Sequence, residues 1–380
     1  MKKIALITYN DHLIERVELV KDVLSKDKDS QIKIFCGDFN HAKKEYHTSY
    51  ENIDYVNVKS YKKNISTARL LSHRKFAKDM FKILKQYQPN LIYCQIPPNS
   101  LTKQMAKYKK KFGGKLVFDL IDMWPESLPI KGAKRIVLLP LLSYWRALRN
   151  KNLKHADLLI TECNLYQKEL QQQDIKLPQM QTVYLAKKSL EVNVETAAAQ
   201  LDTNKLHLCY LGAINNIIDI DKITKLVAAL QAKKATVVNI IGDGESRQLF
   251  IDTLSATGAE VVYHGAIYDE YQKLELLSKC HLGLNIMRDY LKVGLTIKSI
   301  DYFNAGLPIV NNIKEDTAML IVKYNAGFNL TDSIDNLAEK IVNTDCKSFI
   351  DMRIRVKKMF EENFSSNIIK DKITEVVATK

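Results

Sequence analysis

The sequence predicts a parallel α/β protein built as two doubly wound domains in tandem. Three observations predict it. At 380 residues the chain exceeds what one hydrophobic core usually serves. Short apolar runs alternate with helical periodicity from the first residues onward. The alternation then stops in a polar, alanine-containing stretch between Ser189 and Asn204 and starts again beyond it. In such sheets ligands gather outside the C-terminal ends of the strands, so both strand sets are expected to face one cleft. The expected division is 1–188, a linker at 189–204, 205–348, and a C-terminal amphipathic segment at 349–380 that packs back across the junction.

The apolar runs give strands at Lys3–Thr8, Ile32–Cys36, Tyr55–Val58, Leu91–Cys94, Lys115–Leu120 and Leu158–Thr161. Helical spacing fills Leu13–Ser25, Ser66–Gln86, Ser100–Phe112 and Ile136–Leu153. After the linker, strands are expected at Leu206–Leu211, Thr236–Ile241, Glu260–His264, Leu282–Ile286 and Pro308–Asn311. Helices alternate with them at Ile220–Ala232, Gln248–Thr257, Tyr268–Ser278 and Ile297–Ala305. The run after Met-Lys-Lys breaks at Asn10-Asp11-His12, too early for a signal peptide, so it reads as a buried strand. No segment offers the roughly 18 apolar residues of a spanning helix.

Charge is uneven. Residues 1–200 hold 35 Lys and Arg against 20 Asp and Glu, and the remainder 22 against 23. The first half therefore expects an acidic partner. Zinc-finger spacing, an RNP-like aromatic motif and a heptad-linked basic region are all missing, which argues against nucleic acid and for an anionic membrane surface or lipid phosphate. Lys103, Lys107, Lys110 and Lys111 share one helix face. The run Ile136–Leu148, with basic residues on both flanks, reads either as an interfacial helix or as a core helix with solvated ends. The six cysteines stand far apart, most of them in or beside apolar runs, as reduced packing residues of a cytosolic protein do.

The stretch Gly294–Pro308, G-L-T-I-K-S-I-D-Y-F-N-A-G-L-P, carries the most chemistry. Thr296 is an N-cap, and Gly306-Leu307-Pro308 stops the helix. Helix-start amides would face an anion, with Lys298 one turn in and Asp301 beyond it on nearly the same face. A pyrophosphate and a ribose hydroxyl fit these features, as does an ordinary helix capped by glycine. Loops at Gly212–Asn216, Gly242–Glu245 and His264-Gly265 follow strands, so Gly212, Asn215, Gly242, Gly244 and Gly265 are candidate phosphate-loop positions, with Arg288 as a further cation. In the first half, Asp119 and Asp122 end a strand before Trp124-Pro125. Asp122, with Glu126 beside it, is a candidate to take a proton from an acceptor hydroxyl. Asn10, Asp11 and His12, Asp119, and more weakly Glu162, are candidate acceptor-side groups. No metal-ligand spacing is present, and Asp219-Ile220-Asp221 starts a helix.

The segments Y-L-G-A-I (Tyr210–Ile214), I-I-G-D-G-E (Ile240–Glu245), V-V-Y-H-G (Val261–Gly265), K-S-I-D-Y-F-N-A-G-L-P-I-V (Lys298–Val310) and D-L-I-D-M-W-P-E-S (Asp119–Ser127) resemble the retaining glycosyltransferases of family 4, with the two-Rossmann GT-B fold. The resemblance implies a nucleotide-diphosphate sugar held by the second domain, an acceptor entering from the first, and transfer without a metal or other cofactor. In that family a Glu-x7-Glu motif closes on the donor. Here Asp301 stands in the second Glu position and Val293 in the first, and Ile121 replaces the family's His before Asp122. Asn215, Asn216 and then Lys222 stand where an Arg and a Lys often bind phosphate. Lys298 is thus expected to assist the leaving diphosphate.

The expected protein is a glycosyltransferase acting on a lipid-linked or polysaccharide acceptor in bacterial surface polysaccharide synthesis. It would work in the cytoplasm, peripheral on the inner face of the membrane. A catalytically silent partner subunit with this fold and a nucleotide-sugar epimerase are the alternatives.

Overall fold

The computed structural model describes residues 1–11, 14–40, 43–47, 52–63, 66–191, 201–331 and 333–378. The chain forms two compact units, Met1–Ala186 with Ile369–Lys380, and Lys187–Ile368.

In the first unit the order is β1 (Lys2–Thr8), α1 (Ile14–Leu24), β2 (Ser30–Gly37), β3 (Ile53–Val56), α2 (Thr67–Tyr87), β4 (Leu91–Ile96), α3 (Asn99–Phe112), β5 (Lys115–Leu120), α4 (Gly132–Leu153), β6 (Leu158–Thr161), α5 (Asn164–Gln171) and β7 (Gln179–Thr182). The seven strands pair in parallel in the order β3-β2-β1-β4-β5-β6-β7. β4 is buried along its whole length and β5 nearly so, as expected of strands covered by helices on both faces. The chain order reverses between β1 and β4, and this switch opens a crevice at the strand ends.

The second unit repeats the plan with β8 (Leu206–Leu211), α6 (Ile220–Gln231), β9 (Thr236–Ile241), α7 (Arg247–Ser255), β10 (Glu260–Gly265), α8 (Glu270–Ser278), β11 (Leu282–Asn285), α9 (Ile297–Asn304), β12 (Ile309–Asn311), α10 (Asp316–Tyr324), β13 (Gly327–Asn329), α11 (Ile334–Val342) and α12 (Cys346–Asn363). The parallel strand order is β10-β9-β8-β11-β12-β13, with the switch between β8 and β11. Side chains of Asp219, Asp269, Thr296, Ser333 and Asp345 each accept from the amide three residues on, so five of its helices start at a polar cap. Arg353 closes the opposite end of α8. Buried, it donates to the carbonyls of Leu277 (3.2 Å), Ser278 (3.0 Å) and Cys280, and burial lowers its pKa to about 10.

Two Rossmann-like parallel sheets are what the alternating pattern predicts, and most elements fall within a few residues of expectation. Five were not expected: α5, β7, α10, β13 and α11. β7 is a polar edge strand, Gln-Met-Gln-Thr, and β13 has only three half-buried residues, so neither has an apolar run to announce it. The single C-terminal segment expected from Phe349 onward is instead α12, a break at Phe364-Ser365, α13 (Ser366–Ile373) and a π turn over Thr374–Ala378. Its last part belongs to the first unit, where Lys370 reaches Asp22 (2.8 Å) and Lys115 donates to the carbonyl of Val377 (3.1 Å). Most of the expected linker, 192–200, lies outside the described residues.

Candidate functional site

In the second unit the strand switch is filled by one side chain. Tyr302 of α9 is fully buried; its hydroxyl accepts from the amide of Leu211 (2.7 Å) and lies 3.2 Å from the carbonyl of Cys209, and its ring covers Gly283. A Cβ on Gly283 would stand 2.9 Å from that ring, so the glycine is what lets α9 come down on the sheet. The start of α9 is pinned by an asparagine ladder across the strand ends. Asn285 donates to Asn311 (2.8 Å), Asn311 donates to Asn329 (2.9 Å), and Thr296 donates to Asn285 (3.2 Å) while accepting from the amide of Ser299. The cap uses the Ser299 amide, and among the described residues the amides of Ile297 and Lys298 have no acceptor.

Lys298 completes the arrangement. Its ammonium lies 4.8 Å from the ring centre of Tyr210, and its chain runs past Gly212, whose absent Cβ would meet Cδ at 3.9 Å. No carboxylate of the described residues pairs with it, and burial lowers its pKa from 10.5 to about 8. A lysine in the first turn of a helix whose leading amides are open supplies the charge and the donors that an anion calls for.

The glycines divide into two kinds. A Cβ on Gly242 would sit 1.9 Å from the carbonyl oxygen of Gly212, and one on Gly244 would sit 2.3 Å from that of Ile214. These two are required by the loops' approach to each other, tied by Ile214 N to Asp243 O (2.9 Å) and Gly242 N to Gly265 O (2.8 Å). Gly212 and Gly265 have positive φ and room around them. Gly242→Ala is therefore expected to cost about 2–4 kcal/mol. Gly212→Ala should cost about 1 kcal/mol, for its backbone conformation alone. Thermal melts of the two variants check the ranking.

Asn215 accepts from the amide of Ile217 (3.1 Å), an Asx turn. Arg288 bridges to the same loop through the carbonyl of Asn216 (3.2 Å). Lys222 is held by Asp289 (2.8 Å). Val293 is half-buried and offers no polar contact. Asp301 accepts from Lys187, which also stands 3.7 Å from Glu270; burial raises the pKa of Asp301 against the opposing pull of Lys187.

In the first unit the candidate carboxylates part company. Asp119 is fully buried, receives both Nε (2.6 Å) and Nη2 (2.9 Å) of Arg16, and takes the Tyr93 hydroxyl as well. Arg16 also donates to the carbonyls of Val183 and Tyr184 (2.9 Å each), and Glu162 adds to the pull that raises its pKa. Glu126 is likewise enclosed, bidentate with Arg149 (2.8 and 3.0 Å) and 3.1 Å from Arg146. Both carboxylates are committed to scaffold ion pairs. Asp122 is different: half-buried, it accepts from Ser127, and burial raises its pKa.

Asn10 is buried, and its side-chain oxygen has no partner among the described residues. Asp11 accepts from Asn40 (2.8 Å) and lies 3.4 Å from His47. His12 lies outside the described residues. Among the described residues, no group of three or more His, Cys, Asp and Glu stands close enough to share a metal ion. No described helix is long and apolar enough to cross a membrane.

No protein-family model matches the chain, and no curated protein matches it by sequence. Solved structures match along its full length. Sucrose-phosphate synthase from Thermosynechococcus elongatus aligns over 100% of this chain and 99% of its own, with a TM-score of 0.74 at 12% identity. HepE from Anabaena, solved with UDP and glucose, aligns over 100% of both chains with a TM-score of 0.68 at 14% identity. WaaG, a glycosyltransferase involved in lipopolysaccharide biosynthesis, covers 98% of this chain and 99% of its own, with a TM-score of 0.68 at 12% identity. At these identities the likeness defines the fold. It is the GT-B class, two Rossmann-like domains in tandem.

Proposed function

We propose that this protein is a glycosyltransferase that moves a sugar from a nucleotide-diphosphate donor to a lipid-linked or polysaccharide acceptor, with retention of configuration, in bacterial surface polysaccharide synthesis. The observation that carries the reading is Lys298, a desolvated lysine with no carboxylate partner among the described residues, in the first turn of α9, whose leading amides are open, at the strand switch. Two linked phosphoryl groups match that seat in charge and in hydrogen-bond demand. As the glycosidic bond to the leaving diphosphate breaks, Lys298 and the helix-start amides stabilise the developing negative charge. Asp122 is the group assigned to orient the acceptor hydroxyl and take its proton, since its raised pKa suits a base and the neighbouring carboxylates are occupied. The structures of HepE with UDP and with UDP-glucose support a nucleotide-sugar donor.

The test is a thermal-shift panel of UDP, GDP, ADP, CMP and dTDP sugars, because a ligand that binds only the folded state raises the melting temperature. Product analysis with the binding donor follows. Epimerised donor without an acceptor would point to the epimerase, and binding without turnover to a silent partner, a reading that Val293 in place of a carboxylate favours.

A peripheral site on the inner face of the cytoplasmic membrane belongs to the same proposal. Its support is α4, which packs only one face: Leu142 joins Leu128 and Ile130, with Trp124 and Trp145 against them. The other face exposes Ile136, Val137, Leu139, Leu141 and Tyr144, with Lys131 and Lys134 exposed at its start. An apolar face edged with lysine suits an anionic interface. The Ile136→Asp/Val137→Asp double variant is expected to cut co-sedimentation with phosphatidylglycerol vesicles by roughly tenfold or more while leaving nucleotide binding intact. Charge reversal at Lys107 and Lys110, both exposed, should weaken it less. Unchanged sedimentation of the double variant would remove the membrane from the proposal.

A further inference from the structure

Where the chain enters the second unit, residues 187–190 are fastened along α9. Lys187 is fixed by its backbone, its amide donating to the carbonyl of Phe364 (2.9 Å) and its carbonyl accepting from the amide of Ser366 (3.0 Å). Asn304, in the last turn of α9, donates to the carbonyl of Lys188 (2.9 Å) and accepts from the amide of Leu190 (3.0 Å). Lys357 of α12 closes the strap by donating to the carbonyl of Leu190 (2.9 Å). From this strap the Lys187 side chain is delivered to Asp301.

Asp301 is the one carboxylate of α9, a turn beyond Ile297 and Lys298 on the face they share. A ribose linked to a diphosphate at the helix start would reach that face, and in dinucleotide-binding sheets a carboxylate reads the ribose 2′-hydroxyl by accepting from it. Here the carboxylate is taken. It accepts from the Lys187 ammonium and its side chain is only 13% exposed. Glu270 steadies the same ammonium at 3.7 Å and is itself paired with Lys273 (2.7 Å). Among the described residues, the hollow beside Asp301, bounded by Leu190, Glu270, Lys273, Leu277 and Asn304, holds about 10 Å³. That is room for a water at most, and a neutral hydroxyl is a weaker partner for a carboxylate than an ammonium is.

We propose that Lys187 sets the donor range: by occupying Asp301 it leaves the ribose 2′-hydroxyl unread, so the protein accepts 2′-deoxyribonucleoside diphosphates as readily as ribonucleoside diphosphates. The inference rests on the transferase reading and widens its donor class to sugars carried on deoxythymidine diphosphate.

Each base is offered as a pair that differs by one oxygen, UDP against dUDP, GDP against dGDP and ADP against dADP, titrated calorimetrically into the full-length protein. For the base that binds, the two affinities are expected to agree within roughly threefold, less than one hydrogen bond to a charged group is worth. Asp301→Asn should leave that ratio unchanged. Lys187→Ala should raise it, with the ribose form ahead by roughly fivefold or more, because the carboxylate and the room the lysine filled both become available. Adding Asp301→Asn to Lys187→Ala should return the ratio to that of wild type. Mere loosening of α9 would weaken both members of a pair alike and leave their ratio where it was.

A wild-type preference for the ribose form beyond that threefold range, or an unchanged ratio in folded Lys187→Ala, overturns the proposal. Should Lys187→Ala fail to fold, the wild-type ratio and Asp301→Asn still decide, since a ratio that falls in Asp301→Asn means that Asp301 reads the ribose. Diphosphate binding with a strong ribose preference sinks this inference and spares the donor reading, whereas no binding by any diphosphate sinks the donor reading and this inference with it.

Discussion

Lys298→Ala is expected to weaken binding of the nucleotide diphosphate by roughly 10- to 100-fold, the worth of one charge-assisted contact to phosphate in a desolvated site. Isothermal titration of wild type and variant measures it. The pH dependence carries its own signature. With a pKa of about 8 in the free protein, the lysine is charged below that value and increasingly neutral above it. Affinity should therefore hold below pH 8 and fall as the pH rises past it, and in Lys298→Ala that slope should vanish. Binding to the charged form should also draw a proton from buffer near pH 8, visible as buffer-dependent enthalpy.

The sign for folding is opposite. The unfolded lysine keeps its proton to about 10.5, so burial destabilises the free fold below pH 8, and that cost is relieved between 8 and 10.5. A variant that bound nucleotide as well as wild type would move the anion seat away from α9, and the transferase proposal would lose its main support.

The largest effect on stability is expected at Asp119. Asp119→Ala takes from buried Arg16 the carboxylate that pairs with it and strands the Tyr93 hydroxyl, and should cost about 3–5 kcal/mol. Both tryptophans lie in the first unit, so urea denaturation followed by their fluorescence reads that unit's unfolding. Asp119→Ala combined with Arg16→Met should recover much of the loss, because removing both charges leaves no uncompensated ion. The contrast with Asp122 is decisive. If Asp119 is scaffold, its double variant keeps turnover once folded, whereas Asp122→Asn folds and loses it. A folded double variant without turnover would return Asp119 to the acceptor side.

Much of the arrangement around α9 was legible residue by residue. The N-cap at Thr296, the helix it starts and the cation at Lys298 are local features, and local features follow from short-range backbone rules. Gly242 and Gly244 were legible as glycine turns, but the reason for them was not. The carbonyls they clear belong to a loop some thirty residues earlier in the chain. Tyr302 filling the strand switch and the Asn285, Asn311 and Asn329 ladder link positions that only sheet pairing brings together. In the first unit, Asp119, Asp122 and Glu126 look alike in a sequence. Arg16 and Arg149, 103 and 23 residues away, are what separate scaffold from candidate base.

The sequence by itself determined the alternation of strand and helix, the two-domain plan, the basic first half and the polar start of α9, because periodicity, composition and capping act over a few residues. The tertiary structure alone decided which charges are neutralised. It gave Asp119 and Glu126 their arginines, left Lys298 without a carboxylate among the described residues, set Arg69 among aromatic rings and left one side of α4 uncovered. Burial and pairing depend on what distant segments bring into contact, and the free energy of a buried charge is set by that company rather than by its neighbours in the chain.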